Sequence, residues 1–589
     1  MDVQVEGCDV IDLARRFGTP CYVVSEGRLR ANARRIGAAF AAAWPHGPVE
    51  ILPAFKAAPS PAIRAILNAE GLGCDAFGGP ELRAALRCGV PGERISLNGP
   101  RKDAATLAVA IAAGATITLD DAGELDALCA AVASAGERRA RVHLRLRPDY
   151  ARITAPSDFS AAGASVAQAA HAYKPGVPPE QAADLAAALL AEPGVELTGL
   201  MVHLGRHRAD LETWRLMASC VSDAVAALIG AVEGWTPREL DIGGGFPAPR
   251  DPLRRTPEDD GSLEPIAPPI EAIAGAICGA LAPHDGLVLQ IEPGRSLHAD
   301  TGIHLATVLG IKRARDRTWI ETDTSEQFLL DTIVEGNRWP VVVAGREDAL
   351  PAGRSDLVGC SCGFDVIVAD ALLPEVAPGD VVALLDTGAY QESLATNFNA
   401  MPRPATVLVA GDRAEVIRRR EREDEVFARD VVPTRLGGAA APRGVDHVSV
   451  TCGSIERSLA FYRDGLGLAV LERGVEANER IGTVLGLPGA RLRFADLALE
   501  DGRIVELLEY ESPAGRPLRP QPNDPGAAHV ALAVDDVERA LRRLRDLGFP
   551  SRSAPVLLDD HDGRWQDVTI AYVDDPDGFV VELIQRPVA

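Results

Sequence analysis

Between residues 26 and 298 the sequence alternates short apolar runs with alanine-rich stretches of helical period, and this rhythm constrains the fold more than any other feature. The apolar runs include "VEILPAF", "ATITLD" and "RVHLRLRP", and "SPAIRAILNAEG" is one of the helical stretches. Such alternation predicts parallel strands joined by helices. The number of repeats favours a closed (β/α)₈ barrel over an open sheet, and barrel chemistry lies at the C-terminal ends of the strands.

The pattern changes twice after this α/β barrel. Residues 299–430 carry strand-like runs separated by turns, so we expect a mostly β domain that residues 1–25 complete. Residues 431–444, "VVPTRLGGAAAPRG", have no periodicity and are typical of a linker. Residues 445–589 contain two copies of one pattern, "DHVSVTCGSIERSLAFYRDGLGL" and "AHVALAVDDVERALRRLRDLGFP", which predict two similar βαβββ modules.

The composition argues against several classes of protein. With 84 acidic and 60 basic residues the formal net charge is -24, so the average surface would repel nucleic acids and anionic membranes, and we expect a small-molecule substrate. The ten cysteines are scattered without a CxxC pair, which indicates reduced thiols. No secretion signal and no run of about eighteen apolar residues is visible, so the expected location is the cytoplasm.

Charged residues and glycines follow several of the predicted barrel strands. Glu292 and Arg295 in "LQIEPGRS" suit a ligand that has both a protonated ring nitrogen and a phosphate. The glycines 243–245 in "ELDIGGGFP" let backbone N–H groups approach a phosphate. Lys56 in "PAFKAAPS" can bond covalently to a carbonyl group, and His203 in "MVHLG" can stack on a flat ring. Each residue alone also fits an ordinary structural role, and it is their combination that indicates pyridoxal phosphate.

Residues 8–435 resemble the fold-type III pyridoxal-phosphate decarboxylases, the diaminopimelate, ornithine and arginine decarboxylase family. The resemblance rests on these motifs in chain order: "AFKA", "GCDAFGGPEL", "HLRLRP", "KPGV", "MVHLG", "LDIGGGFP", "IEPGRS" and "LDTGAYQESLATNFNAMPRP". It implies pyridoxal phosphate as cofactor and decarboxylation of an amino acid or an amino-acid-derived substrate. It also implies a role for each matching residue: Lys56 as covalent anchor with Asp75, Glu81 and Arg145 around it, His203 and Glu292 at the ring face and ring nitrogen, and Gly243, Gly244, Gly245, Arg295 and Tyr390 at the phosphate.

The same family builds its active site across a homodimer, in which a cysteine-containing loop from the partner subunit protonates the reacting carbon. Here the corresponding loop is "VGCSCGFDVIVAD". Its spacing departs from the usual pattern, so either Cys362 or Cys360 is the proton donor. We favour Cys362 and expect Asp365 to contact the substrate.

Other departures concern the choice of substrate. Arg206 and Ala58 stand where the family often has serine and asparagine. An arginine at 206 could contact the phosphate or a substrate carboxylate. In "ETDTSEQFLLD", Asp323 and Glu326 would suit a distal ammonium group.

The C-terminal repeat places His447 and His529 on the first strand of each module, and Glu506 and Glu582 on the last. Two imidazoles and two carboxylates in one cavity would bind a divalent metal such as Fe, Mn, Ni, Co or Zn. The motifs "VDHVSV", "GRIVELLEY", "GAAHVALAV" and "DDPDGFVVELI" resemble the vicinal oxygen chelate superfamily, which includes glyoxalase I, methylmalonyl-CoA epimerase and extradiol dioxygenases. The alternative is that these histidines and glutamates are ordinary strand residues in a ligand-binding module.

The favoured hypothesis is a bifunctional enzyme that couples decarboxylation to a metal-dependent step, as in secondary metabolism. A first alternative is an amino-acid racemase on the related barrel. Such racemases usually pair an arginine with the pyridine nitrogen, so Glu292 argues against it. A second alternative is a non-catalytic regulator with a ligand-binding tail, against which Lys56 and the phosphate residues argue.

Overall fold

The computed structural model describes residues 4–156, 164–172, 175–205, 210–436, 445–500, 502–559 and 565–586. They form two compact units, Met1–Arg429 and Asp430–Ala589. The first unit contains a barrel and a β region, and the second contains two related modules.

An eight-stranded parallel sheet curls into a nearly closed barrel, which confirms the predicted (β/α)₈ fold. The first two strands in sequence stand at opposite ends of the hydrogen-bonded order, and turn residues join them. Gly73 N–H donates to the carbonyl of Ile51 at 2.9 Å, and Asp75 N–H donates to that of Pro53 at 3.2 Å. The strands are Val49–Ile51, Cys74–Ala76, Ile95–Leu97, Thr116–Leu119, Ala140–Arg145, Val195–Met201, Glu239–Asp241 and Val288–Ile291.

Helices surround this barrel, and local sequence fixes their ends. Ala104–Ala113 begins after Asp103, whose carboxylate accepts the Thr106 N–H, and ends at Gly114, which has a φ of 75°. The described helices of this part are Glu26–Ala43, Pro61–Ala69, Gly79–Arg87, Ala104–Ala113, Leu125–Ser134, Val166–Ala172, Pro179–Ala191, Leu211–Ala231, Ile270–Leu281 and Arg295–His298.

The helix Leu211–Ala231 is long and apolar enough to cross a membrane when judged by length and composition alone. Its Trp214, Val221 and Val225 are buried in the core of the barrel unit. The helix therefore buries these apolar side chains against the barrel.

The β region contains a nine-stranded sheet whose order does not follow the chain. Cys21–Ser25 lies in its middle, antiparallel to Gly302–Ala314 and parallel to Ala405–Ala410. The other strands of the sheet are Arg317–Thr322, Val341–Val343, Gly353–Val358, Val366–Leu373, Val381–Leu385 and Arg413–Arg418. A hairpin, Gln4–Val5 with Cys8–Asp9, and the helices Val10–Phe17, Asp331–Val334, Gln391–Leu394 and Glu423–Val426 accompany it.

The second unit consists of two four-stranded sheets with the same strand order, as the internal repeat predicts. In each, the first strand pairs in parallel with the last. The first module has strands His447–Thr451, Ala469–Glu476, Arg491–Ala498 and Ile504–Ser512, with helices Ile455–Leu459 and Glu479–Leu485. The second has strands His529–Ala533, Val556–Leu558, Val568–Asp574 and Val580–Gln585, with the helix Val537–Asp546.

Candidate active site

The predicted cofactor residues collect at the C-terminal ends of the barrel strands. Asp75 lies in the strand Cys74–Ala76, and Arg145 is the last residue of Ala140–Arg145. Glu292 directly follows Val288–Ile291. Because parallel strands end at the same edge of a barrel, residues far apart in sequence meet at one mouth.

Lys56 forms an ion pair with Asp75. It stands in a short 3-10 turn, Phe55–Ala57, and its Nζ lies 2.5 Å from Asp75 Oδ2. Loss of hydration disfavours the ammonium, but the charges of Asp75, Tyr390 and Glu292 outweigh this effect and raise the pKa of Lys56 above its usual value. Lys56 is therefore an amine held in place by a buried carboxylate.

Asn98 connects this ion pair to Glu292. The Asn98 Nδ2 donates to Asp75 Oδ1 at 2.8 Å and also to Glu292 Oε1. Burial first, and then the carboxylates of Asp241 and Asp75, raise the pKa of Glu292 well above its usual range. The barrel mouth thus contains several buried acids beside the Lys56 amine, an arrangement in which one more positive charge would be stabilised.

The glycine loop after Glu239–Asp241 provides a space without side chains. Gly243 has a φ of 68°, and a Cβ there would lie 3.1 Å from His203 Cα. A Cβ on Gly244 would lie 2.1 Å from the carbonyl oxygen of Glu292. Gly245 has a φ of 94°. Only glycine fits such positions, so the backbone can approach a phosphate closely.

His203 and Arg145 border the same mouth. The Nδ1 of His203 accepts the Gly205 N–H at 3.1 Å, and the His203 ring lies against Gly243. The Arg145 guanidinium is buried and pairs with Asp120 at 3.3 Å. His203 therefore lies where a flat ring could stack on it, whereas Arg145 is tied to a neighbouring acid.

Tyr390 joins the β region to the lysine turn. Its backbone has a φ of 68°, which is uncommon for a non-glycine residue, and its N–H donates to the carbonyl of Ala57 at 2.7 Å. Gly294 leaves room for the Tyr390 hydroxyl, since a Cβ at 294 would lie 2.5 Å from that oxygen. A strained residue that reaches across two regions is typical of a ligand site.

Arg295 lies beside Tyr390, with its guanidinium carbon 5.2 Å from the ring centre. Its Nη2 contacts Asp331 at 2.9 Å and Glu335 at 2.8 Å, and the arginine is buried. The ion pairs described for Arg295 are thus with acids of the β region, and the resemblance alone supports its role at the phosphate.

The cysteine loop lies in the β region and is exposed. Asn399 Nδ2 donates to Cys362 Sγ at 3.3 Å, and Cys362 N–H donates back to Asn399 Oδ1 at 2.9 Å. Cys360 Sγ lies 3.5 Å from the carbonyl of Asp323. Burial, followed by the carboxylates of Asp365 and Asp323, raises the pKa of Cys360. Within the described residues neither cysteine hydrogen-bonds to the barrel.

Asp365 braces the same loop. It is buried and accepts hydrogen bonds from Ser325 Oγ at 3.0 Å and from the backbone N–H groups of Glu326 and Ser361 at 2.7 and 2.6 Å. The structure therefore shows Asp365 as a support of the loop. Its predicted contact with substrate stays a prediction.

The structure describes all but one of the residues expected to select the substrate. Asp323 accepts the Thr19 hydroxyl at 2.5 Å and the Thr307 N–H at 2.8 Å, while Glu326 is partly buried near Asp365. Glu81 accepts the Phe77 N–H at 2.7 Å, and burial raises the pKa of Glu81. Ala58 follows the lysine turn, and Arg206 lies outside the described residues.

The second unit places the four predicted metal ligands in two pairs. His447 Nε2 lies 3.7 Å from Glu506 Oε2, and His529 Nε2 lies 3.3 Å from Glu582 Oε2. A hydrogen bond to Asp446 raises the pKa of His447. Among the described residues no group of three or more histidine, cysteine or acidic side chains is arranged to hold a metal ion. Each module thus forms its pair, but the pairs are not joined into one ligand set.

A cavity of about 560 Å³ lies in the same unit and is lined by both modules. The first module contributes Thr451 and Tyr510, and the second contributes His529 and Tyr572, whose rings are 5.6 Å apart. Arg516, from the segment between the modules, also lines it. Its volume suits a small organic ligand.

Some site residues were not found by sequence reasoning. Asn98 and Asp241 are buried beside Glu292, and Asp331 and Glu335 hold Arg295. In the sequence, only their position at a strand end marks Asn98 and Asp241 as candidates. Asn98 directly follows the strand Ile95–Leu97, and Asp241 ends the strand before the glycines.

Comparison with known proteins agrees with this geometry. Residues 27–299 match the family described as pyridoxal-dependent decarboxylase, pyridoxal binding domain. Residues 444–583 match the glyoxalase/bleomycin resistance protein/dioxygenase superfamily.

Curated relatives cover most of the first unit. The chain is 30% identical to a diaminopimelate decarboxylase of Methanothermobacter thermautotrophicus over 444 residues, 73% of this chain and 96% of that protein. It is 31% identical to one of Actinosynnema pretiosum over 437 residues, 72% of this chain and 92% of that protein. Among solved structures, a diaminopimelate decarboxylase of M. jannaschii is similar with a TM-score of 0.66 and 27% identity, over 74% of this chain and 98% of that one. The complex of the M. jannaschii enzyme with L-lysine gives a TM-score of 0.65 at 26% identity over the same shares.

Proposed function

Because the chain belongs to the pyridoxal-dependent decarboxylase family, we propose that it releases CO₂ from an amino acid or amino-acid-derived substrate at Lys56 and performs a second, metal-dependent reaction in its C-terminal unit. The observation that carries the first part is the group formed by Lys56, Asp75, Asn98 and Glu292 at the barrel mouth. A positioned amine beside a buried acid is what an amino-acid decarboxylase of this family requires.

The residues at the mouth fit pyridoxal phosphate. When bound, the cofactor supplies an electron-accepting ring for the electron pair that remains when a carboxyl group departs. Lys56 would hold it covalently, the glycines 243–245 would admit its phosphate, and His203 would lie against its ring. Asp75 orients the Lys56 amine, and Glu292 would hold a proton on the ring nitrogen.

The relatives indicate which substrates to test first. The curated relatives are diaminopimelate decarboxylases, and one solved relative is described in complex with L-lysine. Basic amino acids therefore come first, followed by acidic and carrier-bound ones, because Arg206 and Ala58 depart from the family pattern.

We expect the purified protein, supplied with pyridoxal phosphate, to release CO₂ from at least one amino acid of this panel. The measurement is capture of labelled CO₂ from carboxyl-labelled substrates, with chiral chromatography of the remaining amino acid. Racemisation without CO₂ would support the racemase alternative. Cofactor binding without either reaction would support the regulator.

We further propose a homodimer in which the cysteine loop of one subunit completes the Lys56 site of the other. The loop supports this proposal because Cys362 is exposed and Phe364, two residues later, is 96% exposed. An apolar side chain so open to solvent is typical of a surface that meets a partner.

The ten cysteines are free thiols, and five of them are not buried: Cys8, Cys88, Cys129, Cys360 and Cys362. Free thiols support the proposed cytoplasmic location, where glutathione and thioredoxin keep cysteines reduced.

The metal-dependent part of the proposal rests on the two His–Glu pairs and the cavity beside them. A divalent metal shared by the pairs would keep positions open for a substrate, and such a metal can activate water, dioxygen or a carbonyl group. The pairs are the candidate ligands, and the metal would have to draw them together.

We expect the full-length protein to bind about one equivalent of divalent metal in the C-terminal unit, and the doubly substituted His447→Ala, Glu506→Ala protein to lose it. The measurement is elemental analysis after equilibration with each of Fe, Mn, Ni, Co and Zn. Glu511→Ala is the matched control, because Glu511 lies on the same strand but pairs with Arg491. Retention of the metal by the double variant would contradict this ligand set.

A further inference from the structure

Asp241 is a buried acid at the barrel mouth to which neither the resemblance nor the proposed function gives a role. It ends the strand Glu239–Asp241 and is fully buried, next to the buried acids Asp75 and Glu292. Of these acids Asp75 has the Lys56 ammonium as its partner. Asp241 and Glu292 must therefore be stabilised in another way.

Only one of the two carboxyl oxygens of Asp241 has a described hydrogen-bond donor. Its Oδ1 accepts the Gly243 N–H at 2.8 Å. Its Oδ2 is buried and has no hydrogen-bond donor among the described residues. The strand that ends at Asp241 pairs with the strand that Glu292 follows, and the carboxyls of Asp241 and Glu292 interact with each other. Two ionised carboxylates only accept hydrogen bonds, so this contact needs a proton between them.

Other titratable groups near Asp241 do not supply that proton. The buried His143 acts on Asp241 electrostatically, but its Nε2 is bonded to Glu239 at 2.7 Å and its Nδ1 makes no hydrogen bond to Asp241. Lys56 donates to Asp75. Burial raises the pKa of Asp241 to about 6, in the direction that a shared proton requires.

We propose that Asp241 is a positioning residue that remains protonated in the working enzyme and donates a hydrogen bond from its Oδ2 to Glu292, which keeps Glu292 as the carboxylate that faces the ring nitrogen of the cofactor. When no cofactor cation lies beside Glu292, the proton shared by Asp241 and Glu292 can reside on either acid. A protonated ring nitrogen stabilises negative charge on Glu292, so the proton then resides on Asp241.

This proposal predicts which substitution at 241 is tolerated. In Asp241→Asn, the amide oxygen can still accept the Gly243 N–H, and the amide nitrogen donates to Glu292 as the protonated acid does. In Asp241→Val, a β-branched residue suited to a strand fills the space but donates nothing. We expect the Asn variant to bind pyridoxal phosphate within about threefold of wild type, and the Val variant to bind it about 10- to 100-fold more weakly, the range for a lost hydrogen bond to a charged group.

The test uses the full-length protein and does not depend on the substrate. Cofactor affinity is measured by equilibrium dialysis, and the pH profile of the cofactor's absorption is recorded for each variant, with melting temperature as the folding check. The Asn variant should keep the wild-type pH profile, because it replaces one neutral donor with another.

Two outcomes would overturn the proposal. If Asp241 is ionised in the working enzyme, Asp241→Asn removes a negative charge and should shift the spectral midpoint by about one pH unit or more. If Asp241 only fills space, the Val variant should bind cofactor as well as the Asn variant does. If the Val variant fails to fold, the pH profile of the Asn variant still tests whether Asp241 is protonated or ionised.

Discussion

Lys56→Ala should abolish decarboxylation and lower kcat by at least about a thousandfold. Among the described residues, no other amine pairs with Asp75 at the barrel mouth. Lys56→Arg is the matched control. It keeps a cation beside Asp75 but cannot form the covalent bond with the cofactor. The measurements are CO₂ release and, after borohydride treatment, mass spectrometry of the peptide that contains residue 56. A pyridoxyl label on another lysine of the wild-type protein would contradict the assignment.

The same variant tests the proposed dimer. When Lys56→Ala and Cys362→Ala chains are produced together, half of the dimers are mixed. If each site combines Lys56 of one chain with the cysteine of the other, one of the two sites in a mixed dimer is intact, so activity should recover to about a quarter of wild type. Repeating the experiment with Cys360→Ala identifies the cysteine that acts. An absence of recovery with both cysteine variants would contradict a shared site.

The architecture of the barrel was predictable because its determinants are local. Each strand is a short apolar run such as Thr116–Leu119, and the chain order of strands and helices dictates the parallel order in the sheet. The β region differs in this respect. Cys21–Ser25 reads as a strand from its composition, but its place between Gly302–Ala314 and Ala405–Ala410 depends on pairings across hundreds of residues. A local sequence pattern does not specify which distant strands a strand will pair with.

The same distinction applies to the candidate site. Lys56, Glu292 and the glycine loop were predicted because each follows a strand and lies in a recognisable motif. Asn98 and Asp241 were missed because their roles come from what they touch, namely Glu292 from a different strand end. For the metal site the sequence predicts four ligands in one cavity, and that set stays a prediction. The structure brings the four residues together as one His–Glu pair in each module, and the distance between the pairs depends on how the two modules pack.

Glu292→Gln should retain the cofactor but lower kcat by about a hundredfold or more, with a smaller change in KM. The amide preserves the size of the side chain and its hydrogen bond from Asn98, so the geometry of the mouth is kept. What is lost is the negative charge that would hold a proton on the ring nitrogen. The measurements are kcat and KM for the substrate identified by CO₂ release, together with cofactor content. An unchanged kcat would contradict the electronic role of Glu292.

Comparison with Asp241→Asn makes this prediction sharper, because the two substitutions are the same chemical change at adjacent buried acids. Both replace a carboxyl with an amide of equal size, so a general effect of neutralising the cluster would damage both variants alike. We expect opposite results, since Glu292 acts as the carboxylate and Asp241 as the neutral donor that supports it. Equal loss of activity in the two variants would mean that the enzyme needs both negative charges, and the pair would then have to work without the shared proton.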